Sequence, residues 1–169
     1  DKGGNLWFAT YDGVNKYDGY NFTVYRHQYM NPNSIASDIS RCIAVDDSDR
    51  IWVGTREGLS LYNRYKDAFS NYYYKKRGMN VAVTSIAPIK EDWLMLGTAE
   101  GVLLFDAKRG CFLNDTLPAT LHMLRPTVLV RQGDLINIGA ENGVYTYTLS
   151  NGILDKLVDM PNYVRVHAI

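Results

Sequence analysis

A twelve-residue pattern that occurs four times constrains the fold of this 169-residue chain more than any other feature. The copies read LWFATYDGVNKY, IWVGTREGLSLY, LMLGTAEGVLLF and INIGAENGVYTY. Their shared glycines lie 45, 43 and 42 residues apart, at Gly13, Gly58, Gly101 and Gly143. This spacing is longer than ankyrin or tetratricopeptide units and fits one four-stranded blade of a β-propeller.

Each copy predicts a β-hairpin. Apolar residues alternate before the turn, as in Ile51 and Val53, and a polar residue followed by the shared glycine then reverses the chain. Glycine adopts the positive φ that such a tight turn needs. A second glycine, such as Gly54 or Gly97, stands four residues before the turn glycine. A glycine inside a strand usually marks close approach of another backbone, so we expect neighbouring blades to crowd there.

Further strands flank the hairpins and complete the blades. Apolar first strands are predicted upstream at residues 39–45, 83–89 and 127–131, and outer strands downstream at 22–25, 69–74, 111–113 and 153–158. Turn-forming residues separate these segments, and none has a sustained helical period. We therefore expect an all-β β-propeller with about four blade-equivalents of four antiparallel strands. The repeats cover residues 1–30, 38–75, 82–116 and 126–160 of a single segment, 1–169.

The order of strands at the two ends leaves three arrangements open. The chain begins inside a blade, and residues 163–169 resemble the first strand of a further blade. The ends could close a small ring, two chains could share a larger ring, or the chain could be part of a longer propeller. We favour the segment of a larger propeller. A homodimer is then expected for the isolated segment, because it buries both open edges.

Composition argues against several classes of partner. Eighteen Lys and Arg residues balance eighteen Asp and Glu residues, so bulk charge attracts neither nucleic acid nor an anionic membrane. Because no run of 18 apolar residues and no charged-then-apolar leader occurs, we expect no direct membrane contact in this segment. Cys42 and Cys111 lie in different repeats, and we favour two buried free thiols, with a disulfide left open.

The sequence offers little catalytic or metal-binding chemistry, and we assign no catalytic residue, no metal ligand and no cofactor. None of the three histidines stands near a partner at zinc spacing, and no phosphate loop or nucleophile elbow occurs. Asp46, Asp47 and Asp49 form an acidic turn without the glycine and distant glutamate of an EF-hand. We interpret this turn as solvated, because Asp and Ser readily cap turns.

Residues that break the repeat are better candidates for binding than residues that recur in it. In a propeller, the turns between the second and third strands share one face with the connections between blades. That face would carry Tyr11, Asp12, Arg56 and Glu57 from the turns, with Arg26, His27 and Tyr29 from a connection. Aromatic planes beside donors that can bind bidentately suit a carbohydrate or another polar small molecule. For any one of these residues, an ordinary wet surface is the alternative.

Several of these segments together resemble the two-component regulator propeller repeat. They are the connection Asn-Ser-Ile-Ala-Ser-Asp at 33–38, the acidic turn at 46–50, and the strands Leu-Trp-Phe-Ala-Thr at 6–10 and Ile-Trp-Val-Gly-Thr at 51–55. The family runs from an Asn-Ser-Leu-Ser-Ser connection through an acidic turn to Leu-Trp-Ile-Gly-Thr and a Gly-Leu strand. The later copies depart from it, with Met95 and Asn137 in place of tryptophan and Trp93 two positions early.

The resemblance implies a sensor. Such repeats form the periplasmic part of hybrid two-component systems in Bacteroides-type gut bacteria, where paired seven-bladed propellers precede a membrane span and a histidine kinase. It implies that this chain is part of a seven-bladed ring, recognises an oligosaccharide, and signals to a kinase elsewhere in its parent. The remaining blades would also lie there. No kinase motif occurs in these 169 residues, so we expect no enzyme activity from the segment itself.

Two other functions remain open at the level of sequence. The faces of the propeller could serve as a scaffold for a protein partner. A glycan-active propeller enzyme is a third hypothesis, which the lack of a clearly placed, repeat-breaking carboxylate pair disfavours. Protection against heat by a carbohydrate would indicate a sensor, turnover an enzyme, and a stable protein complex without either a scaffold.

Overall fold

The computed structural model describes residues 1–90, 92–113 and 116–159. The chain forms two compact units, which we call unit 1 (Asp1–Val83) and unit 2 (Thr84–Ile169). The strand expected at 163–169 lies outside the described residues.

Unit 1 contains two sheets and a small hairpin. The first sheet has three antiparallel strands in the order β1-β2-β3: Leu6–Thr10, Gly13–Tyr17 and Phe22–Tyr25. The second has four in the order β4-β5-β6-β7: Ser40–Val45, Ile51–Thr55, Gly58–Asn63 and Ala68–Tyr72. The hairpin pairs β8 (Lys75–Lys76) with β9 (Met79–Asn80).

Unit 2 is built around two four-stranded sheets, the first of which begins at the last residue of unit 1. In the first sheet the order is β10-β11-β12-β13: Val83–Lys90, Trp93–Thr98, Gly101–Asp106 and Cys111–Leu113. A short helix, α1 (Ala119–Met123), follows. In the second sheet the order is β14-β15-β16-β17: Pro126–Gln132, Leu135–Ala140, Gly143–Thr148 and Leu154–Asp159.

These sheets confirm the all-β fold and the blade topology, because successive strands of each sheet are neighbours in sequence. Two elements were not predicted. The helix α1 is little more than one turn, too short for a helical period to show, and it buries Leu121. The other is the hairpin β8–β9, which follows the outer strand predicted at 69–74. Its first strand consists of two exposed lysines, its second of Met79 and Asn80, and its two-residue turn has positive φ at Arg77 and Gly78.

The hairpin turns are closed by the threonine of the repeat. Thr55 Oγ1 donates a hydrogen bond to the carbonyl oxygen of Gly58 at 3.0 Å, and accepts from the backbone N–H of Glu57 at 3.2 Å. Thr98 bonds Gly101 in the same way at 2.8 Å. At Gly101 φ is +112°, and a Cβ there would collide with the backbone of His122. The turn glycine is therefore required by both conformation and space.

The second glycine of the repeat lies where sheets approach each other, as predicted. A Cβ on Gly97 would collide with Ser85 Oγ of the same sheet and would lie 3.2 Å from Pro126 Cγ of the next. Thr84 Oγ1 lies 3.0 Å from the Gly97 carbonyl oxygen and 3.3 Å from that of Pro126. Glycine at this position lets the first strand of the following blade pack closely.

Each unit has its own apolar core between its two sheets. The core of unit 1 is formed by Val14, Ile35, Ile51, Val53, Tyr62 and Phe69, with Trp7 and Tyr25 packed against it. The core of unit 2 includes Met95, Val102, Leu104, Leu121, Leu129, Ile136 and Ile138. Aromatic contacts reinforce the first core, where the Trp7 and Tyr62 ring centroids are 4.8 Å apart.

The acidic turn at 46–49 is not fully solvated, which corrects the interpretation made from sequence. The side chain of Asp46 is only 1% exposed. Its carboxylate accepts hydrogen bonds from the indole N–H of Trp52, the Nε of Arg50 and the backbone N–H of Ser48, at 2.6–3.0 Å. Asp1 holds Trp7 in the same way at 2.8 Å. The buried indole N–H of the strand tryptophan needs a hydrogen-bond acceptor. The carboxylate at the start of the turn is that acceptor, and it is therefore buried.

Both cysteines are free thiols, as favoured from the sequence, although each residue is half-buried rather than fully buried. Burial of the Cys42 thiol raises its pKa to about 12. The thiol packs beside Gly54 and lies 3.9 Å from the carbonyl oxygen of Val83. It therefore behaves as a small core residue and is a poor nucleophile at neutral pH.

Candidate functional site

The seven residues predicted to bind a ligand all lie in unit 1. Tyr11 and Asp12 form the β1–β2 turn, and Arg56 and Glu57 form the β5–β6 turn. Arg26, His27 and Tyr29 begin the connection from β3 to β4. Backbone bonds tie these segments together, because Asp38 accepts from the N–H of Gly13 at 2.7 Å and Ile39 accepts from the N–H of Arg56 at 2.9 Å.

Asp12 and Arg26 form an exposed, forked ion pair. Arg26 Nε donates to Oδ1 of Asp12 at 2.9 Å, and Nη2 donates to Oδ2 at 2.6 Å. The bond from the guanidinium lowers the pKa of the Asp12 carboxyl. Two of the five guanidinium N–H groups are used in the fork, so the others can donate to a ligand without breaking it.

His27 is fixed in place by the connection that carries it. Its backbone N–H donates to Asp38 Oδ1 at 2.6 Å, and its Nδ1 lies 2.9 Å from the carbonyl oxygen of Ile35. The backbone N–H of Gln28 donates to Ser34 Oγ at 3.0 Å. These bonds turn the connection back on itself, so the imidazole is oriented before any ligand arrives.

A cavity of about 260 Å³ opens beside His27. It is lined by His27, Gln28, Met30, Asn31, Pro32, Asn71 and Tyr73. Burial and then the nearby negative charge of Glu57 raise the pKa of Tyr73. Asn80 Nδ2 donates to Glu57 Oε2 at 3.1 Å. The cavity therefore offers an imidazole, three side-chain amides and a phenol, which can exchange hydrogen bonds with a polar ligand but do not form a pair of nucleophile and base.

Of the seven predicted residues, His27 lines this cavity and the other six lie outside its lining. Tyr11 and Tyr29 are 80% and 89% exposed. Arg56 is also exposed, and its side chain makes no hydrogen bond or ion pair within the described part of the chain. The structure thus brings together Asp12 with Arg26 and places His27 at a cavity. Ligand binding by any of the seven stays a prediction.

Sequence reasoning did not select Tyr73 or Asn71, which line the same cavity. Both residues lie in the outer strand predicted at 69–74. The structure places Asn71 in β7 and Tyr73 directly after it. Asn71 Nδ2 donates to the carbonyl oxygen of Ser34 at 2.8 Å, and its Oδ1 accepts from Ser60 Oγ at 2.7 Å. The sequence signal that could have indicated this cavity is Asn71, a polar residue in an outer strand.

The connection at 33–38 has a structural role. Asn33 accepts a backbone hydrogen bond from the N–H of Phe69 at 2.8 Å, and Ala36 N–H donates to Ser60 Oγ at 3.2 Å. Ile35 is fully buried in the core of unit 1. The connection is therefore held against β6 and β7, with Ile35 and Ala36 buried and polar residues on either side of them.

Neither a metal site nor a membrane-spanning helix is evident in the residues that the structure covers. No group of three or more His, Cys, Asp or Glu side chains is arranged to hold a metal ion among them. The described helix is too short to cross a membrane.

Comparison with protein families confirms the resemblance. The family described as two component regulator propeller matches residues 34–57, which run from the connection through the acidic turn to the β5–β6 turn. No curated protein sequence matches the chain.

Solved structures share the fold over nearly the whole chain. The extracellular domain of the proposed hybrid two-component system BT3049 from B. thetaiotaomicron is 28% identical, with a TM-score of 0.76 over 94% of this chain and 24% of that one. The corresponding domain of BT4673 from the same organism is 19% identical, with a TM-score of 0.76 over 97% of this chain and 23% of that one. The chain is therefore a β-propeller segment, and it spans less than a quarter of either structure.

An enzyme also shares the fold. An ancestral GH74 enzyme is 17% identical, with a TM-score of 0.64 over 90% of this chain and 22% of that one. At this identity the likeness concerns the fold alone, since one fold supports many functions.

Proposed function

Because residues 34–57 are a two-component regulator propeller repeat, we propose that this chain is the ligand-sensing part of an extracytoplasmic hybrid two-component sensor. The 28% identity to an extracellular domain of such a system supports both the sensory role and the location outside the cytoplasm. We expect the periplasm to be the compartment, as the family implies. The remaining propeller blades and a histidine kinase would belong to the parent chain.

One observation carries the proposal of a ligand site. Arg26 and His27 are neighbours in the connection after β3. Arg26 is held by its fork with Asp12 of the β1–β2 turn, and the oriented ring of His27 lines a cavity of about 260 Å³. Fixed donors and acceptors at a concave surface lose little conformational freedom when a polar ligand binds. Tyr11, on the turn of Asp12, and Tyr29, on the connection of His27, add exposed aromatic planes outside the lining of the cavity.

An oligosaccharide is the ligand class we propose. Its hydroxyls both donate and accept, which suits the guanidinium of Arg26, the carboxylates of Asp12 and Glu57, and the phenol of Tyr73. Its ring faces suit an exposed tyrosine. Signalling requires that the ligand bind one arrangement of the sensor more tightly than another, because equal affinity for two states shifts neither. In a homodimer, which we also propose, the two arrangements would be orientations of the protomers.

A thermal-shift and calorimetry screen with defined oligosaccharides tests the binding function. We expect at least one sugar to raise Tm, and Arg26→Ala and Tyr73→Phe to weaken its binding at least tenfold. Lys66→Ala, an exposed change in the turn after β6, serves as a matched control. If no sugar binds but a protein partner co-purifies stoichiometrically, the scaffold function replaces this one. Turnover of a sugar would instead establish an enzyme.

The flanking reading frame tests the signalling function separately. A membrane span and a histidine kinase encoded in the same frame would support a sensor. A parent protein with neither would overturn the signalling proposal and leave the sugar-binding result to stand by itself.

A further inference from the structure

Unit 2 has a groove of about 850 Å³. The turns that form it differ in kind from the second-to-third-strand turns of the site described above. It lies at the turns β10–β11, β14–β15 and β16–β17, the links between first and second or third and fourth strands. Its main side chains are Lys90, Trp93, Arg131, Asp134, Leu149 and Ser150. Its volume falls in the range of about 300–1,000 Å³ that is typical of small-molecule sites.

The same repeat positions in unit 1 carry an ionic network, and the cavity that Asp49 and Arg64 line there is smaller, about 380 Å³. Arg64 Nη2 lies 2.6 Å from Asp49 Oδ2 and 3.2 Å from Asp1 Oδ2. The backbone N–H of Lys2 donates to Asp49 Oδ1 at 2.8 Å. Asn5 Nδ2 donates to both carboxylate oxygens of Asp1 at 3.2 and 3.3 Å. These contacts tie the two sheets of unit 1 together at their turns.

Counting from the turn glycines shows what unit 2 has in these places. Six residues after the glycine, Leu149 stands where unit 1 has Arg64. Twelve residues before it, Ile89 stands where unit 1 has Asp1, and eight before it Trp93 replaces Asn5. Asp134 keeps the position of Asp49. The network has therefore lost its arginine and one of its acids, and the groove lies in its place.

The polar groups that remain in the groove are held in fixed positions. Arg131 Nε donates to the carbonyl oxygen of Gly133 at 3.0 Å, and Nη1 lies 3.5 Å from that of Pro88. Asp134 Oδ2 accepts from Ser150 Oγ at 2.5 Å. Trp93 is partly buried against the core of unit 2, which fixes its ring at the groove wall. A flat aromatic ring thus stands in one groove with an oriented donor and an oriented acceptor.

We propose that this groove is a second carbohydrate subsite, in which a sugar ring stacks on Trp93 and its hydroxyls bind Arg131 and Asp134. The ligand class rests on the proposed function, whereas the location rests on the loss of the ionic network. Adjacent donors and acceptors match the hydroxyls of a sugar ring, and its C–H face covers the indole. The groove is larger than the cavity beside His27, so it can hold a longer stretch of an oligosaccharide.

Leu149→Arg is the decisive variant. It places in unit 2 the arginine that unit 1 has at Arg64, on the groove wall that also carries Asp134, and so puts a long charged side chain where the sugar would lie. Leu149 is itself partly buried against the core of unit 2, so this variant is also checked for folding. Trp93→Ala removes the stacking surface. Tyr20→Ala removes an exposed aromatic side chain of unit 1 and serves as the matched control.

The probes are cellohexaose, xylohexaose, mannohexaose and maltohexaose, measured by calorimetry and by tryptophan fluorescence on the whole protein. We expect a hexaose that binds the wild type to bind Leu149→Arg and Trp93→Ala at least tenfold more weakly, and Tyr20→Ala unchanged. Circular dichroism and Tm show whether each variant is folded. If either variant unfolds, Arg131→Ala, which removes the exposed donor of the groove, decides in its place.

The outcomes separate this inference from the proposed function. Binding that Arg26→Ala weakens and Leu149→Arg leaves unchanged would overturn the groove alone. Binding of none of the four hexaoses to the wild type would overturn the groove, whereas shorter or branched sugars that bind and depend on Arg26 would still support the proposed function.

Discussion

The indole N–H of Trp52 donates a 2.7 Å hydrogen bond to Oδ2 of Asp46, and both side chains are buried. The partners stand six residues apart, on the turn and the strand that follow each other in the repeat. Trp7 and Asp1 form the same pair at 2.8 Å. The first carboxylate of the acidic turn and the tryptophan of the repeat therefore form one recurring hydrogen-bonded pair.

Replacing Asp46 with Ala should destabilise the protein strongly. The change removes the buried acceptor of the indole N–H, of the Arg50 guanidinium and of two backbone N–H groups, those of Ser48 and Arg50. Breaking such a buried charged pair costs about 3–5 kcal/mol. Urea denaturation measures this loss, and Asp47→Asn, at the exposed neighbouring position, should change stability by only about 0.5 kcal/mol. Equal denaturation midpoints for the two variants would contradict the role given to Asp46.

Gly101→Ala should be more damaging than Gly133→Ala, although both glycines have positive φ, +112° and +62°. At Gly133 there is open space for a Cβ, so we expect a cost of about 1–2 kcal/mol from the backbone conformation alone. At Gly101 the same methyl group also collides with the backbone of His122. Thermal unfolding of both variants checks the order. Similar Tm values would show that space around Gly101 is not limiting.

Stability in acid should depend on Asp67. Its carboxylate accepts hydrogen bonds from Tyr25 at 2.6 Å and Tyr62 at 2.7 Å, which lower its pKa. A carboxyl whose pKa is lower when folded adds stability above its unfolded pKa of about 3.9, and this stability is lost as the pH falls through the folded pKa. The stability difference between wild type and Asp67→Asn should therefore be constant above about pH 5 and shrink below about pH 4.

The double variant Tyr25→Phe, Tyr62→Phe is the cross-check for Asp67, because it removes both donors and leaves the acid. Its stability should also fall less steeply in acid than that of the wild type. Urea midpoints between pH 3 and pH 7 give the comparison. A double variant with the wild-type slope would show that the tyrosines do not set the pKa of Asp67.

Arg26→Ala should leave stability unchanged while it weakens ligand binding. The Asp12–Arg26 pair is exposed, so water and salt screen it and its loss exposes no buried group. Thermal unfolding should give the wild-type Tm within error. A clear drop in Tm would mean that Arg26 supports the connection to β4, and any loss of binding would then need to be measured below the unfolding range.

The repeat was enough to predict the sheets because each strand and turn is a local feature. The outer strand Phe22–Tyr25 and the short strand Cys111–Leu113 have the predicted bounds. The buried role of Asp46 was not predicted, since an acidic turn reads as solvated until its tryptophan partner is placed beside it. The helix α1 was missed because one turn carries no period.

Less of the candidate site could be predicted than of the fold. The ion pair of Asp12 with Arg26 joins a turn to a connection fourteen residues away, and no pattern of sequence spacing predicts it. The cavity beside His27 depends on Asn71 and Tyr73, which come from β7 and the residue after it. Such sites arise where separate segments meet, whereas the repeat reports only what recurs within each blade.

The short separation of Trp52 and Asp46 bears on how the protein folds. A bond between residues six positions apart closes a small loop, and every sheet pairs strands that follow each other in sequence. Low contact order favours fast formation of such sheets. The contacts that join sheets, such as Trp7 with Tyr62, span much longer loops and should form later. Each blade would then form as one unit during folding. The packing of sheets against each other, rather than the pairing of strands, would set the folding barrier.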